Sequence, residues 1–155
     1  MITQYIKGNI VDLFKSGHMV AHGCNCFHSM GAGVAGQLAK ACKYIPAIDK
    51  ETGWGDESKL GTYSVATITH GPGENDVHCF NLYTQYHPGR NLDYGALVNC
   101  LQALNNWASN KIAPPTVYMP RIGCGIAGGD WNKVCVLINM FTENMKIVIV
   151  DWDGE

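Results

Sequence analysis

No run of lysine or arginine crosses this 155-residue chain, and only 15% of its residues are charged. Eleven basic and 13 acidic residues leave a net charge of -2, so no basic stripe offers itself to a nucleic-acid backbone. No apolar stretch reaches the ~20 residues of a membrane-spanning helix. The opening MITQYIKGNI has neither the charged start nor the apolar run of a signal peptide. These absences lead to the expectation of a cytoplasmic protein without membrane or nucleic acid among its partners. No segment repeats, none is of low complexity and none reads as a linker. One domain over residues 1–155 is therefore expected, long enough to bury a core.

Cysteine, by contrast, is plentiful. The seven are Cys24, Cys26, Cys42, Cys79, Cys100, Cys124 and Cys135. Their number is odd and their spacing irregular. Cys24 and Cys26 form C-x-C, but no second pair follows at zinc-finger spacing. Most lie in apolar runs such as HCFNL and VCVLI. Free thiols in a reduced compartment, with no metal, are the reading.

Alternation and helical periodicity divide the chain. Residues 2–6 alternate as a strand, KGN at 7–9 reads as a turn, and 18–23 as a buried strand. Val34, Leu38 and Ala41 mark a helix that Pro46 limits, and 47–57 read as a short helix and then loop. Residues 61–70 and 77–84 are strands, paired as a hairpin through GPGEND. A helix with one apolar stripe covers 92–108. TVYMP is a strand, WNKVCVLINMF a helix and KIVIVDW a buried strand. The order β-β-α-β-β-α-β-α-β predicts an α/β domain, its mixed sheet covered on both faces.

Two segments share a grammar. CNCFHSMGAGVA and PRIGCGIAGGDW each follow a strand, are rich in glycine and small residues, and open a helix. Either they are plain connections, or their backbones approach a ligand at the carboxyl ends of the strands. In the second case, N–H groups at two helix starts form a cradle for an anion. GAGVAG also fits part of a dinucleotide-binding pattern. The acidic residue which that pattern requires about twenty positions on falls at Asp49 or Glu51, in a segment read as helix and loop, and this ranks a dehydrogenase low.

At this point the chain resembles a known family. YIKGNI, VAHGCNCFHSMGAGVA, CFNLYTQ and MPRIGCGIAGGDW are similar to the strands and loops of macro domains, which bind ADP-ribose. The likeness covers nearly the whole sequence. Within the family the chain is similar to stand-alone ADP-ribose 1''-phosphate phosphatases. It is also similar to the branch of terminal ADP-ribose protein glycohydrolase, which shares MPRIGCG. The resemblance implies one macro-type α/β domain with a mixed sheet of about six strands. It implies a monomer that takes ADP-ribose or its 1''-phosphate and needs no cofactor. Gly8, Asn9 and Ile10 would border the adenine, and Asn25 the distal ribose. Gly31, Ala32, Gly33 and Val34 would offer N–H groups to the diphosphate. Ile122, Gly123, Cys124, Gly125, Ile126 and Ala127 would close over it, with Tyr83, Thr84 and Gln85 lining the distal end.

Departures from the family pattern carry information. Many members have Asp where this chain has Asn9, whose amide carbonyl accepts a hydrogen bond without charge assistance. The glycohydrolase branch has an attacking Lys where Gln85 stands, and an amide forms no Schiff base. Its acidic residue is replaced by Ala127. That covalent route is therefore not expected, whereas removal of a 1''-phosphate, simple binding, or non-covalent release of ADP-ribose from modified proteins stays open. Three residues are candidates for catalysis: His22, Asn25 and Asp130. His22 stands where phosphatase-like members carry His; it is either an acid or base near neutral pH or a buried ring hydrogen-bonded to backbone. Asp130 either caps the following helix or takes part directly. Arg121 pairs either with phosphate or within the fold. His28 and Ser29 touch ligand or solvent, and His87 is a surface residue.

Overall fold

The computed structural model describes residues 1–69 and 75–154. Six strands form one sheet: β1 (Ile2–Gly8), β2 (Met19–Cys24), β3 (Tyr63–Ile68), β4 (Val77–Tyr83), β5 (Thr116–Met119) and β6 (Lys146–Trp152). Their order across the sheet is β1-β6-β5-β2-β4-β3. Every neighbouring pair is parallel except β3 with β4, which is antiparallel at the edge. The expected hairpin is thus present, while its turn lies partly outside the described residues, as does His70.

Two apolar layers close the faces. On one, α4 (Tyr94–Ser109) and α5 (Trp131–Phe141) bury Leu97, Leu101, Leu104, Val134 and Ile138 against Phe80, Val117 and Ile147. On the other, α1 (Ile10–Lys15), α2 (Gly33–Ala41) and α3 (Tyr44–Lys50) cover Val20, Ala66 and Cys79 with Ile10, Phe14, Leu38 and Ile45. Strand alternation explains the split, because Val20 and Ala21 point to opposite faces. Among the described residues, no helix is long and apolar enough to cross a membrane.

The structure departs from the sequence reading in two short helices. The expected turn at KGN is absent: β1 runs on to Gly8, and the Asn9 side chain accepts the Val11 N–H at 2.9 Å to start α1. Six residues are too few to display a helical period. The helix expected from Val34 past Ala41 ends there, and α3 begins at Tyr44 with Pro46 in its first turn. Proline is tolerated at that place, where its missing N–H has no partner to lose. All seven cysteines are free thiols, four of them buried.

Leu101 is fully buried in the layer under α4. Leu101→Ala is expected to cost about 2–5 kcal/mol, read as a lower urea midpoint with an unchanged slope.

Candidate functional site

Parallel strands send their carboxyl ends to one side, and a cleft of about 560 Å³ opens there. Gly8 of β1, His22 and Cys24 of β2, Thr84 after β4, Pro120 after β5 and Trp152 of β6 all line it. The rest of the wall comes from the two glycine-rich loops and from the start of α2. Ala32, the N-cap of α2, makes no side-chain capping bond, and the first helical bond runs from the Gly36 N–H to the Ala32 carbonyl. The N–H groups of Gly33, Val34 and Ala35 thus precede the helical ladder at the cleft wall, the positive end of the helix dipole.

The second loop is folded on itself. The Cys124 N–H donates to the Arg121 carbonyl and the Gly128 N–H to the Gly125 carbonyl, both at 3.1 Å. The Gly129 N–H closes on the Gly123 carbonyl at 2.6 Å, and the Leu92 N–H holds the Ala127 carbonyl. Gly123 has φ of +74°, the left-handed region open to glycine. A Cβ on Gly129 would stand 2.3 Å from the Leu92 side chain and 2.6 Å from the Gly123 oxygen. Farther out, the exposed Ile126 reaches across the cleft, its Cδ1 3.5 Å from where a Cβ on Gly33 would stand.

Among the described residues, only two formal charges line the cleft, and they pair with each other. The Arg121 Nε and Nη2 donate to the two carboxylate oxygens of Asp151 at 2.7 and 3.1 Å. This holds the Asp151 carboxyl below its usual range. The Arg121 guanidinium also packs on the Trp131 and Tyr5 rings, at 5.0 and 5.6 Å from their centroids. Its role within the fold is thus explicit. Sequence reasoning missed Asp151 and Trp152, whose only signal was a polar end, DW, on an otherwise apolar strand.

All the expected ligand contacts line the cleft except Asn9, Gly31 and Tyr83. Asn9 caps α1, as described above. Tyr83 was expected at the distal end, but it is fully buried and its hydroxyl donates to Asp49 Oδ1 at 2.7 Å. Asp130 is also outside the lining. Its side chain accepts the Asn132 N–H at 2.9 Å, which caps α5, and its own N–H donates to the Tyr94 hydroxyl. The cap, of the two roles open to Asp130, is the one with a visible partner. Gln85 lines the cleft, while its amide donates to the carbonyls of His87 and Gly89 and so pins that loop. Ser29 lines the cleft too; His28 turns away to the Thr52 carbonyl, and His87 is exposed and stacked on Phe27.

His22 and Asn25 do line the cleft, but their polar atoms are largely engaged. The Asn25 oxygen accepts the Phe27 and Ser29 N–H groups, and its amide donates to the Ser29 carbonyl. His22 is buried, with Nε2 2.6 Å from the Asn81 side-chain oxygen rather than from backbone. Burial pushes its pKa down to about 4, against smaller upward pulls from the Asn81 hydrogen bond and the Asp49 charge. A shift in that direction favours a neutral, weakly basic ring near pH 7, and the ring's partner is a side chain where backbone was expected. Burial likewise pushes the Cys24 thiol well up, leaving it protonated. Thr84 Oγ1 is buried at the cleft without a hydrogen-bond partner among the described residues. Among the described residues, no group of three His, Cys, Asp or Glu side chains is placed to hold a metal ion.

The His22 environment has a consequence for acid stability. Between pH about 6.5 and about 4 the unfolded chain accepts a proton that the folded one refuses. The contribution of this group is complete above that window and falls as pH drops through it, by about 3 kcal/mol in all. Urea midpoints measured from pH 7 to pH 4 should fall less steeply for His22→Gln than for the native chain. Gly129→Ala should lower stability by about 1–3 kcal/mol, because Leu92 and the loop must shift to admit the methyl group, with thermal melting as the measurement.

Comparison with known proteins agrees with this architecture. The macro domain family profile matches residues 21–138. An uncharacterised 17.5 kDa protein from the tk-vs intergenic region of Enterobacteria phage T4 is 52% identical over 157 residues, spanning 99% of this chain and 98% of that one. A protein of unknown function from Bacteroides thetaiotaomicron superposes with a TM-score of 0.74 at 26% identity, over 97% of this chain and 98% of its own. Thermosipho africanus DarTG, solved in complex with ADP-ribose, superposes with a TM-score of 0.75 at 13% identity, over 96% of this chain and 42% of its own. The chain belongs to the macro domain family, a family of ADP-ribose-binding modules.

Proposed function

We propose that the cleft binds ADP-ribose and releases phosphate from ADP-ribose 1''-phosphate without a metal ion. The observation that carries this reading is the pair of backbone surfaces facing each other across the cleft: the start of α2 on one side and the folded loop of Gly123–Ala127 residues on the other. Together they present N–H groups and a helix dipole to a diphosphate, and no side-chain charge is needed. The exposed Trp152 ring at the β6 end offers a stacking face for the base. At the other end, Asn25, Thr84 and Gln85 supply polar groups for the distal ribose. Hydrolysis of a phosphate monoester there would draw on positioning and backbone donors.

A second reading, binding without turnover, is favoured by one observation. The ring of His22 is neutral at pH 7, and Arg121 and Asp151 are spent on each other. Among the described residues, no lining side chain is then an evident proton carrier. Calorimetry and a phosphate-release assay run in parallel, with ADP-ribose and its 1''-phosphate, separate the two. Heat of binding with phosphate release is the expected result. Binding alone would establish the second reading, and no binding of either compound would overturn both.

Gly125 gives a clean probe of the cleft, since a Cβ there meets nothing within 4 Å. Gly125→Val should leave the melting temperature nearly unchanged and weaken ADP-ribose binding about tenfold or more, the cost of about 1.4 kcal/mol of lost fit.

A further inference from the structure

Behind the cleft floor runs a line of buried and half-buried polar groups that the sheet register creates. His22 on β2 pairs with Asn81 on β4, and Asn81 pairs with Ser64 on β3. The three side chains therefore stand in one row across three adjacent strands, close enough to touch. Tyr83, two residues beyond Asn81, shares its face and reaches α3.

The bonds join end to end. His22 Nε2 is 2.6 Å from Asn81 Oδ1, and Asn81 Nδ2 is 3.1 Å from Ser64 Oγ. Ser64 Oγ is 2.8 Å from the Tyr83 hydroxyl, which is 2.7 Å from Asp49 Oδ1. Asn81, Tyr83 and Asp49 are buried. The Lys59 ammonium lies over the same Tyr83 ring, 4.8 Å from its centroid, and donates to Thr52 Oγ1.

Donor counting fixes the direction of every bond. A carboxylate only accepts, so the single Tyr83 hydroxyl proton goes to Asp49. The Tyr83 oxygen must then accept from Ser64, whose one proton is thereby used. Ser64 Oγ in turn accepts from the Asn81 amide. The other end of Asn81, its carbonyl oxygen, is left facing His22, so Nε2 must carry the ring proton. Nδ1 is left with a lone pair. Among the described residues its hydrogen-bond contact is Cys24 Sγ, at 3.8 Å from Nδ1 and 3.7 Å from Nε2. A sulfur that close to both nitrogens sits over the ring, outside the plane in which the lone pair points.

We propose that Asp49, acting through Tyr83, Ser64 and Asn81, locks His22 as the Nε2–H tautomer, so that Nδ1 serves the cleft purely as a hydrogen-bond acceptor for a ligand hydroxyl. Asp49, Tyr83, Ser64 and Asn81 are positioning residues: each acts through the next. The identity of that hydroxyl as one of a ribose rests on the nucleotide reading given above. A lone pair at this point favours a hydroxyl that can donate and disfavours a bare phosphate or carboxylate oxygen that cannot.

Nitrogen-15 spectra of the histidine rings in the intact protein test this. The expected result for His22 is a pyrrole-like Nε2 and a pyridine-like Nδ1 as a single species; a pyrrole-like Nδ1, or averaged nitrogens, would overturn the lock. Ser64→Ala and Tyr83→Phe each cut the line, and either should turn the single species into averaged ring nitrogens. An unchanged His22 spectrum in a folded variant would overturn the role of Asp49. On titration with ADP-ribose, Nδ1 should move while Nε2 stays, and Ser64→Ala should weaken binding about fivefold, the worth of one neutral hydrogen bond. If calorimetry detects ADP-ribose binding but Nδ1 does not respond, the acceptor role is overturned and the nucleotide reading stands. If ADP-ribose does not bind at all, the nucleotide reading falls with the ribose assignment, and the ligand-free spectrum still decides the tautomer.

Discussion

The cleft depends on β2 lying parallel between β5 and β4. Two adjacent parallel strands deliver their following loops to the same edge of the sheet. The loop after β2 and the loop after β5 are therefore neighbours by construction, about two strand spacings of backbone apart at most. Each is rich in glycine, so their backbones rather than their side chains face the space between them. The same parallel pairing sets His22 beside Asn81 and so places the polar line under the floor. Breaking that one alignment would separate the loops and dissolve the floor together.

A consequence is electrostatic. The lining carries one cation and one anion, already matched, and the helix and loop dipoles are left to meet a negatively charged guest. Such dipoles are oriented once, when the chain folds, and neither titrate nor swing away. A site of this type gives up the long reach of a lysine or arginine cluster, and gains a fixed geometry that a flexible cation does not provide.

Much of this was readable in advance where periodicity runs long. The helix WNKVCVLINMF and the strand KIVIVDW occur at the expected bounds, because eleven residues of helical stripe and a continuous apolar strand admit few alternatives. The two glycine-rich loops stood out by composition, and both border the cleft. What escaped was short or depended on partners distant in sequence. The six residues of α1 hide their period, and Pro46 reads as a terminator although it sits in a first turn. Tyr83 carries no mark in the sequence that its hydroxyl turns inward to Asp49, 34 positions away. Nor does a histidine in a strand declare that burial holds it neutral.

The approach of Ile126 toward Gly33 bears on how a guest would enter the cleft. The loop is tied down at its start through Arg121 and Asp151 and at its end through Gly129 and Gly123. Its middle brings the exposed Ile126 side chain toward the opposite rim, its Cδ1 3.5 Å from where a Cβ on Gly33 would stand. A span held at both ends and narrowed at its middle would slow a long, jointed guest on its way out as much as on its way in.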